Sequence, residues 1–316
     1  MPTETQVSPI YGGELALFRA LQTNADPAVG IKPLYTGGVV NNFGSVGYVN
    51  QPAITSVAVL DEIRPLGTFQ RKQANVMDSN GTISFDSYLQ DASALATGIR
   101  SVGGLLSYYT FLWGNAAAAR LVIGAKCDSM DITINRGQPV KVTDNYQHLI
   151  SDIYTTNPGN MAYISDTIRP FYGFEMSFSF SNTSLVSYLI KSIHINVSHS
   201  LERLPPKLFY DTNAATPVQT TKLVSTAIKE KQQIVKVSFE LYDPLTGTVG
   251  HIADVCKNIV ACTATLTDPC SATRNMVITI PGLVFSTDNI SGGAGQEIQM
   301  FTAEASAQDI TVAYTA

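Results

Sequence analysis

The residues of this chain that could do chemistry are few, and their spacing suits no familiar site. Four cysteines stand at Cys127, Cys256, Cys262 and Cys270, and the last three are separated by five and seven residues. That spacing matches neither a zinc ribbon nor a C-x-x-C redox pair. His251 lies five positions before Cys256, so the group leaves open a metal site, a disulfide or buried free thiols, and thiols in the core are the expected outcome. His194 and His199 share one alternating segment. An odd spacing on a strand sends them to opposite faces, so they do not chelate one metal together. Asp128 and Asp131 supply too few oxygens for calcium. The aromatic run Tyr108-Tyr109-Thr110-Phe111-Leu112-Trp113 could stack on bases, but no basic cluster adjoins it, so core or subunit packing is expected. No G-x-S-x-G elbow, Walker loop or H-E-x-x-H motif occurs, and Gly292-Gly293-Ala294-Gly295 lacks the strand-to-helix setting that phosphate binding needs. The expectation is a protein with no catalytic residues, no cofactor and no metal.

Strict alternation of apolar and polar residues marks strands with one buried face. It appears at Met130–Ile134 and Val140–Thr143, joined by Arg136-Gly137-Gln138-Pro139 as a hairpin, and again at Met176–Phe180, Ile193–His199 and Ile234–Tyr242. In the last of these, Val235, Val237, Phe239 and Leu241 fall on one face and Lys236, Ser238 and Glu240 on the other. Met276–Phe285 is apolar on both faces and broken by Pro281, which predicts an edge or a bulge. Ile54–Leu60, Gly81–Phe85 (with Asn80-Gly81 as a turn) and Ile310–Tyr314 complete the strands. Two helices are expected, one at Glu14–Thr23 and a longer one within Ser87–Trp113, where Leu89, Ala92, Leu95, Ala96 and Ile99 follow the helical period. Many antiparallel strands and few helices predict a mainly β fold, an antiparallel sandwich or barrel with an extended N-terminal arm. Residues 1–120 read as that arm or as an insertion, and residues 121–316 as the β domain.

Only 14% of the 316 residues are charged, against about 25% in an ordinary domain, while 45% are hydrophobic. The net charge of −5 excludes a classical binder of phosphate backbones. No apolar window of about 20 residues suits a bilayer span, and Met1–Pro9 has no charged, apolar signal pattern, so a soluble mature protein without membrane contact is expected. Ser, Thr, Asn, Gln and Gly replace the missing charge. Strands with uncharged outer faces are sticky in a monomer, which points to a self-associating structural protein with large interfaces.

Two segments carry a resemblance. C-D-S-M-D-I-T-I-N-R-G-Q-P-V-K-V-T-D at Cys127–Asp144 is similar to the hairpin of tail tube proteins of tailed bacteriophages and related contractile particles. K-S-I-H-I-N-V-S-H-S-L-E-R-L, ending in Leu201-Glu202 and Arg203-Leu204, resembles a later strand of that family, although His199-Ser200 stands where Asn is usual. Gln233–Tyr242 falls where the next sheet strand would lie, and the strand order over about residues 120–316 is compatible. The resemblance implies a β-sandwich or barrel protomer, hexameric rings with a continuous inner barrel, and stacking into a tube in the virion tail, after synthesis in the host cytoplasm. DNA would pass through the lumen without specific binding, and sheath, baseplate or terminator proteins would be partners.

On that basis the subunit-interface candidates are Ile193, Ile195, Val197, Leu201 and Glu202, with Tyr146, Tyr154, Tyr163 and Tyr172. Tyr146–Phe174 is expected to be a long loop between rings. Residues 268–316 contain Asp268, Asp288, Glu297, Glu304 and Asp309 against Arg274 alone, and Asp288, Glu297, Glu304 and Asp309 are the lumen candidates. Another virion component (capsid, baseplate or tail completion) is the nearest alternative, and an extracellular adhesin or glycan-binding sandwich, using some of the 14 tyrosines, is the more distant one.

Overall fold

A computed structural model describes residues 16–23, 26–30, 34–36, 39–41, 43–47, 49–50, 52–63, 73–100, 104–114, 119–154, 168–181, 189–211, 218–243, 260–271, 273–291, 299–307 and 309–316. The fold is mainly β, with antiparallel pairing throughout these residues. A central sheet of eight strands runs in the order β5 (Ala53–Ile63), β6 (Gln73–Tyr88), β9 (Lys141–His148), β8 (Ala119–Asn135), β12 (Leu189–Arg203), β15 (Ile228–Asp243), β18 (Gln299–Ala307) and β17 (Asn275–Ser291).

Two strands leave this sheet and build the layers that cover it. The first half of β8 pairs with β7 (Tyr109–Gly114) and β10 (Ile150–Tyr154), and β7 continues to β1 (Ala16–Leu21) and β4 (Gly44–Ser45). The turn out of the sheet falls at Gly124, whose φ is +66° and whose side would be blocked by the Pro27 carbonyl at 2.7 Å from any added Cβ, so glycine is required there. The first half of β17 pairs with β16 (Val260–Thr267) and β19 (Thr311–Thr315), and β16 with β11 (Met176–Phe180). That bend falls at Pro281-Gly282, with Gly282 at φ +72° and a register shift opposite it, which is the bulge the proline predicts. Outside the central sheet, β13 (Pro206–Asp211) and β14 (Val218–Ser225) extend the β12–β15 hairpin beyond a kink at Pro205, and β2 (Leu34–Thr36) pairs with β3 (Val39–Asn41).

The central sheet turns Ile83, Phe85, Val142, Met130, Ile132, Ile134, Ile193, Ile195, Val197, Val235, Val237, Phe239 and Leu241 inward, all buried. Under one end, Phe178 and Phe180 of β11 meet Phe239 edge-on at 5.5 and 5.6 Å between centroids. Under the other, Phe111 of β7 meets Phe85 and Tyr146 at 5.7 and 4.9 Å. Burying a large aromatic contributes about 2–3 kcal/mol each, and edge-on pairs add up to about 1 kcal/mol. An ionic clamp closes one corner. Arg169 bonds Glu175 and Asp268 at 2.5 Å each, while Arg274 bonds Asp268 at 2.7 Å, donates to the carbonyl of Gln90 and lies 4.0 Å over the Phe171 ring.

Several expectations need correction. Glu14–Thr23 is not a helix: its described part forms β1, buried on both faces, with Leu17 in the main core and Phe18 and Ala20 in a second cluster. Two-sided burial erases the period of two. Ser87–Trp113 contains the end of β6, a 3₁₀ turn at Ala92–Ala94 and the start of β7. Gly98 packs so close that a Cβ would stand 2.6 Å from Met130 Cε, so the alanine-rich stretch is a tight plug on the core. Among the described residues, helical backbone is confined to 3₁₀ turns at Ala92–Ala94 and Gly173–Glu175. Asn80-Gly81 is no turn but the middle of β6, where glycine makes room for His148: an added Cβ would fall 2.0 Å from His148 Cε1. The loop expected from Tyr146 begins instead as strand, through His148 and then β10. The division at residue 120 falls inside β8, and strands from both sides share one sheet and one core.

Candidate assembly surface

The outer face of the central sheet is the feature most unlike an ordinary protein surface. Alternation puts every second residue of each strand on it, and register aligns them into rows. One row runs Asp86, Thr143, Asp131, Asn196, Lys236, Ser306 across β6, β9, β8, β12, β15 and β18. A second runs Tyr88, Lys141, Thr133, His194, Ser238, Glu304, and a third Ser84, Asn145, Ser129, Ser198. Ten of these sixteen side chains are hydroxyls or amides; the others are Asp86, Asp131, Lys236, Lys141, His194 and Glu304.

Most of the charges present are absorbed within the face. Asn196 donates to Asp131 at 2.9 Å, and His194 lies 3.0 Å from the same carboxylate. That bond to His194 holds Asp131 below its ordinary pKa and raises His194. Burial pushes Asp86 upward, but Lys141 at 2.8 Å, Thr143 at 2.6 Å and Asn50 outweigh it and leave the carboxyl lowered. Ser192 at 2.9 Å and Lys191 at 3.2 Å lower Glu240. Exposed ion pairs such as these add little stability; their effect is to leave a broad surface with little net charge, able to hydrogen-bond water but not to hold phosphates.

The sheet also ends openly. Among the described residues β5 pairs only with β6, and the second half of β17 pairs only with β18. Ala53, Thr55 and Ser56 are exposed on β5, and Val284, 50% exposed, stands at the start of the open stretch of β17. Unpaired edges of this kind invite another strand.

The named candidates separate against this frame. Ile193, Ile195, Val197 and Tyr146 are not interface residues, because all four are sealed in the chain's own core. Leu201 is half-buried against the second cluster, and Glu202 is exposed and paired with Lys231 at 3.0 Å. Tyr172 is half-buried and tilts on the exposed Phe174 at 5.4 Å. Glu304 lies exposed on the outer face, and Asp309 is half-buried and accepts from the Ile310 N–H. Asp288 lies on β17, opposite Ala303 of β18. Tyr163, Glu297, His251, Cys256 and the Gly292–Gly295 stretch lie outside the described residues, as do the side chains of Tyr154 and Asp288. Asp268 belongs to the ionic clamp: Arg169 holds it down at about 2. His194 and His199 do face opposite ways, His194 to solvent and His199 into the core, bonded to the Gly98 carbonyl at 2.8 Å. Cys127 and Cys262 are buried free thiols, and Cys270 is an exposed one.

Sequence reasoning missed the buried polar groups of β9. Val140, Val142, Asp144, Tyr146 and His148 occupy the same phase of one strand, and all are buried. The alternation itself signals them, because it places Asp144 and His148 at core positions. No protein-family model matches the chain, and no curated protein matches it.

Proposed function

We propose that this protein is a structural subunit that joins copies of itself head to tail through the edges of its central sheet, in the manner of tail tube proteins. Six or so protomers would close a ring, rings would stack, and the hydroxyl- and amide-rich face would line the lumen. The observation that carries the reading is that face, broad, polar and nearly neutral, on a sheet whose two end strands lack an outer partner among the described residues. A lumen of this kind lets DNA slide, since it offers no lysine or arginine array to release counterions from phosphates. Head-to-tail contacts close only at one rotation per subunit, so ring size would be set by the twist of the eight strands. In a virion tail the tube's ends would meet sheath, baseplate or terminator proteins. Of the acidic residues named as lumen candidates, Glu304 would line the lumen on this face, beside Asp86 and Asp131.

Light scattering and negative-stain microscopy of the purified protein test the reading. Rings or tubes with a central hole are expected, growing with concentration. A monomer at every concentration, or closed shells without a channel, would contradict it, and glycan binding by such a monomer would favour the adhesin alternative.

A further inference from the structure

The layer built on the first half of β17 stops at β19, Thr311-Val312-Ala313-Tyr314-Thr315. Among the described residues β19 pairs only with β17, so its other edge is open. Natural open edges are blunted by lysine, proline or a bulge. This one has none of them: its residues are uncharged, mostly strand formers, and in unbroken register with β17. Val312 and Tyr314 pack half-buried against the core, while Ala313 and Thr315 are exposed.

A groove of about 430 Å³ lies beside this strand, walled by Leu95, Ile99, Leu105, Leu106 and Val312, with Arg100 as its cation. Arg100 donates Nε to Gln233 Oε1, a neutral acceptor, at 3.2 Å. Leu105 is 75% exposed, the most of any large hydrophobic side chain among the described residues. Thr311 lines the groove as well as Val312. Consecutive strand residues point to opposite faces, so both border one groove only where it opens along the strand's edge. The edge toward β17 is filled, which puts the groove along the free one. That edge can take a strand, and the groove an apolar side chain carried by it.

We propose that the occupant is β19 of a second copy, paired antiparallel about a two-fold axis through Ala313. In such an isologous contact the same residues meet twice. Ala313 faces Ala313, Thr311 faces Thr315, and Val312 faces Tyr314 of the second copy. Directly opposed residues on antiparallel strands share a face, so each Tyr314 ring reaches the groove on the side where Val312 lines it. The ring covers Leu105, and its hydroxyl meets Arg100. A slip by one residue would put Tyr314 on the wrong face, and a slip by two would shorten the ladder. The interface is small, so a weak and reversible dimer is expected. The contact is separate from joining through β5 and the second half of β17, and it stands whether or not rings form.

Disulfide trapping on the full chain tests it, in a Cys270→Ser background that removes the exposed native thiol. Ala313→Cys alters an exposed side chain and sets two cysteines directly opposite, about 4.5–5.5 Å apart at Cα, within reach of a disulfide. Under mild oxidation it should link about tenfold faster or more than Gly137→Cys, which sits at an exposed hairpin tip. Mass spectrometry should find the bond between the two residues 313. Thr311→Cys should link poorly to itself and readily to Thr315→Cys when the two proteins are mixed. Leu105→Asp or Tyr314→Ala, added to Ala313→Cys, should slow linking about tenfold. Linking of Ala313→Cys no faster than that of Gly137→Cys overturns the contact. Equal linking of Thr311→Cys to itself and to Thr315→Cys overturns the register, and a rate unmoved by Leu105→Asp overturns the groove as the seat of the ring.

Discussion

The two ends of the interior are made of different material. Beneath β15 and β18 the covering layer is hydrocarbon: Phe178, Phe180, Phe239 and Phe285 pack ring on ring, with Ala264, Leu266, Ile278 and Ile280 around them. Beneath β6, β9 and β8 the apolar packing is threaded with polar groups. Asp144, His148, His199, Thr97 and Thr110 are all buried there, and Lys126 is buried beside them with its ammonium 4.8 Å over the Tyr108 ring. The first region can only be packed well or badly. The second can also be charged or discharged, so pH should act on it and not on its neighbour.

The largest effect should come from charging the dry end. Val237→Lys places an ammonium among Phe239 and its neighbours with no partner, and is expected to abolish folding or cost at least about 4 kcal/mol by urea denaturation. Phe239→Ala removes the ring at the centre of the aromatic cluster and should cost about 3–5 kcal/mol. The Phe239→Ala penalty should be the same at pH 5.5 and 8, whereas the Val237→Lys penalty should shrink as pH rises, because a buried lysine sheds its proton; a strong pH dependence of Phe239→Ala would break the contrast between the two ends.

The polar end makes two opposing contributions to stability across the same range. Asp144 has its pKa raised by burial from an ordinary 3.8 to about 7. The folded state therefore holds a proton that the unfolded state releases, and this contribution is complete below about 4 and lost as pH rises toward 7. His148 is lowered from 6.5 to about 4, chiefly by burial. Its contribution is complete above about 6.5 and lost as pH falls toward 4. At about 1.4 kcal/mol per pKa unit, the two opposed terms are on the order of 4 and 3 kcal/mol. Wild-type stability should therefore vary little from pH 4.5 to 7. Asp144→Asn should make it climb with pH, and His148→Gln should make it fall. Parallel profiles for all three proteins would show that these groups do not titrate as their burial implies.

A smaller effect is expected at Gly81. Gly81→Ala pushes a methyl onto His148 and against the Thr55 carbonyl and should cost about 1–3 kcal/mol, with only part of the loss recovered when His148→Ala is added, because the 2.7 Å approach to the Thr55 carbonyl oxygen remains. The smallest is Lys236→Ser, next to Val237 but on the outer face, which should stay within about 0.5 kcal/mol of wild type. Equal damage from Lys236→Ser and Val237→Lys would overturn the assignment of faces.

The same contrast governed what could be read from the sequence. Strands with one wet and one dry face, such as β11, β12 and β15, declare themselves by alternation, and so does the break at Pro281. Those buried on both faces do not: β1 is apolar apart from Arg19 and β7 apart from Thr110, without alternation, and Leu15, Phe18 and Leu21 happen to fall at helical spacing. The plug around Ala92–Ile99 mimicked a helix because small residues were needed to fit against Met130 and Cys127. Gly81 looked like a turn because its real cause, His148, lies 67 positions away along the chain. The candidate surface was half legible. Its chemistry followed from the low charge and the polar phase of each strand, but which strands stand side by side is set by register and cannot be read locally. The apolar residues assigned to subunit contacts were core residues, since alternation identifies a dry face without saying what keeps it dry.

The account rests most heavily on copies meeting through the two open edges of the central sheet. A photo-cross-linking residue placed at Val284, exposed at the open stretch of β17, tests this directly in assembled particles. Mass spectrometry should find it joined to residues 53–63 of a different copy. Cross-links confined to other surfaces, in particles that nevertheless assemble, would contradict edge-to-edge joining and with it the lumen assigned to the polar face.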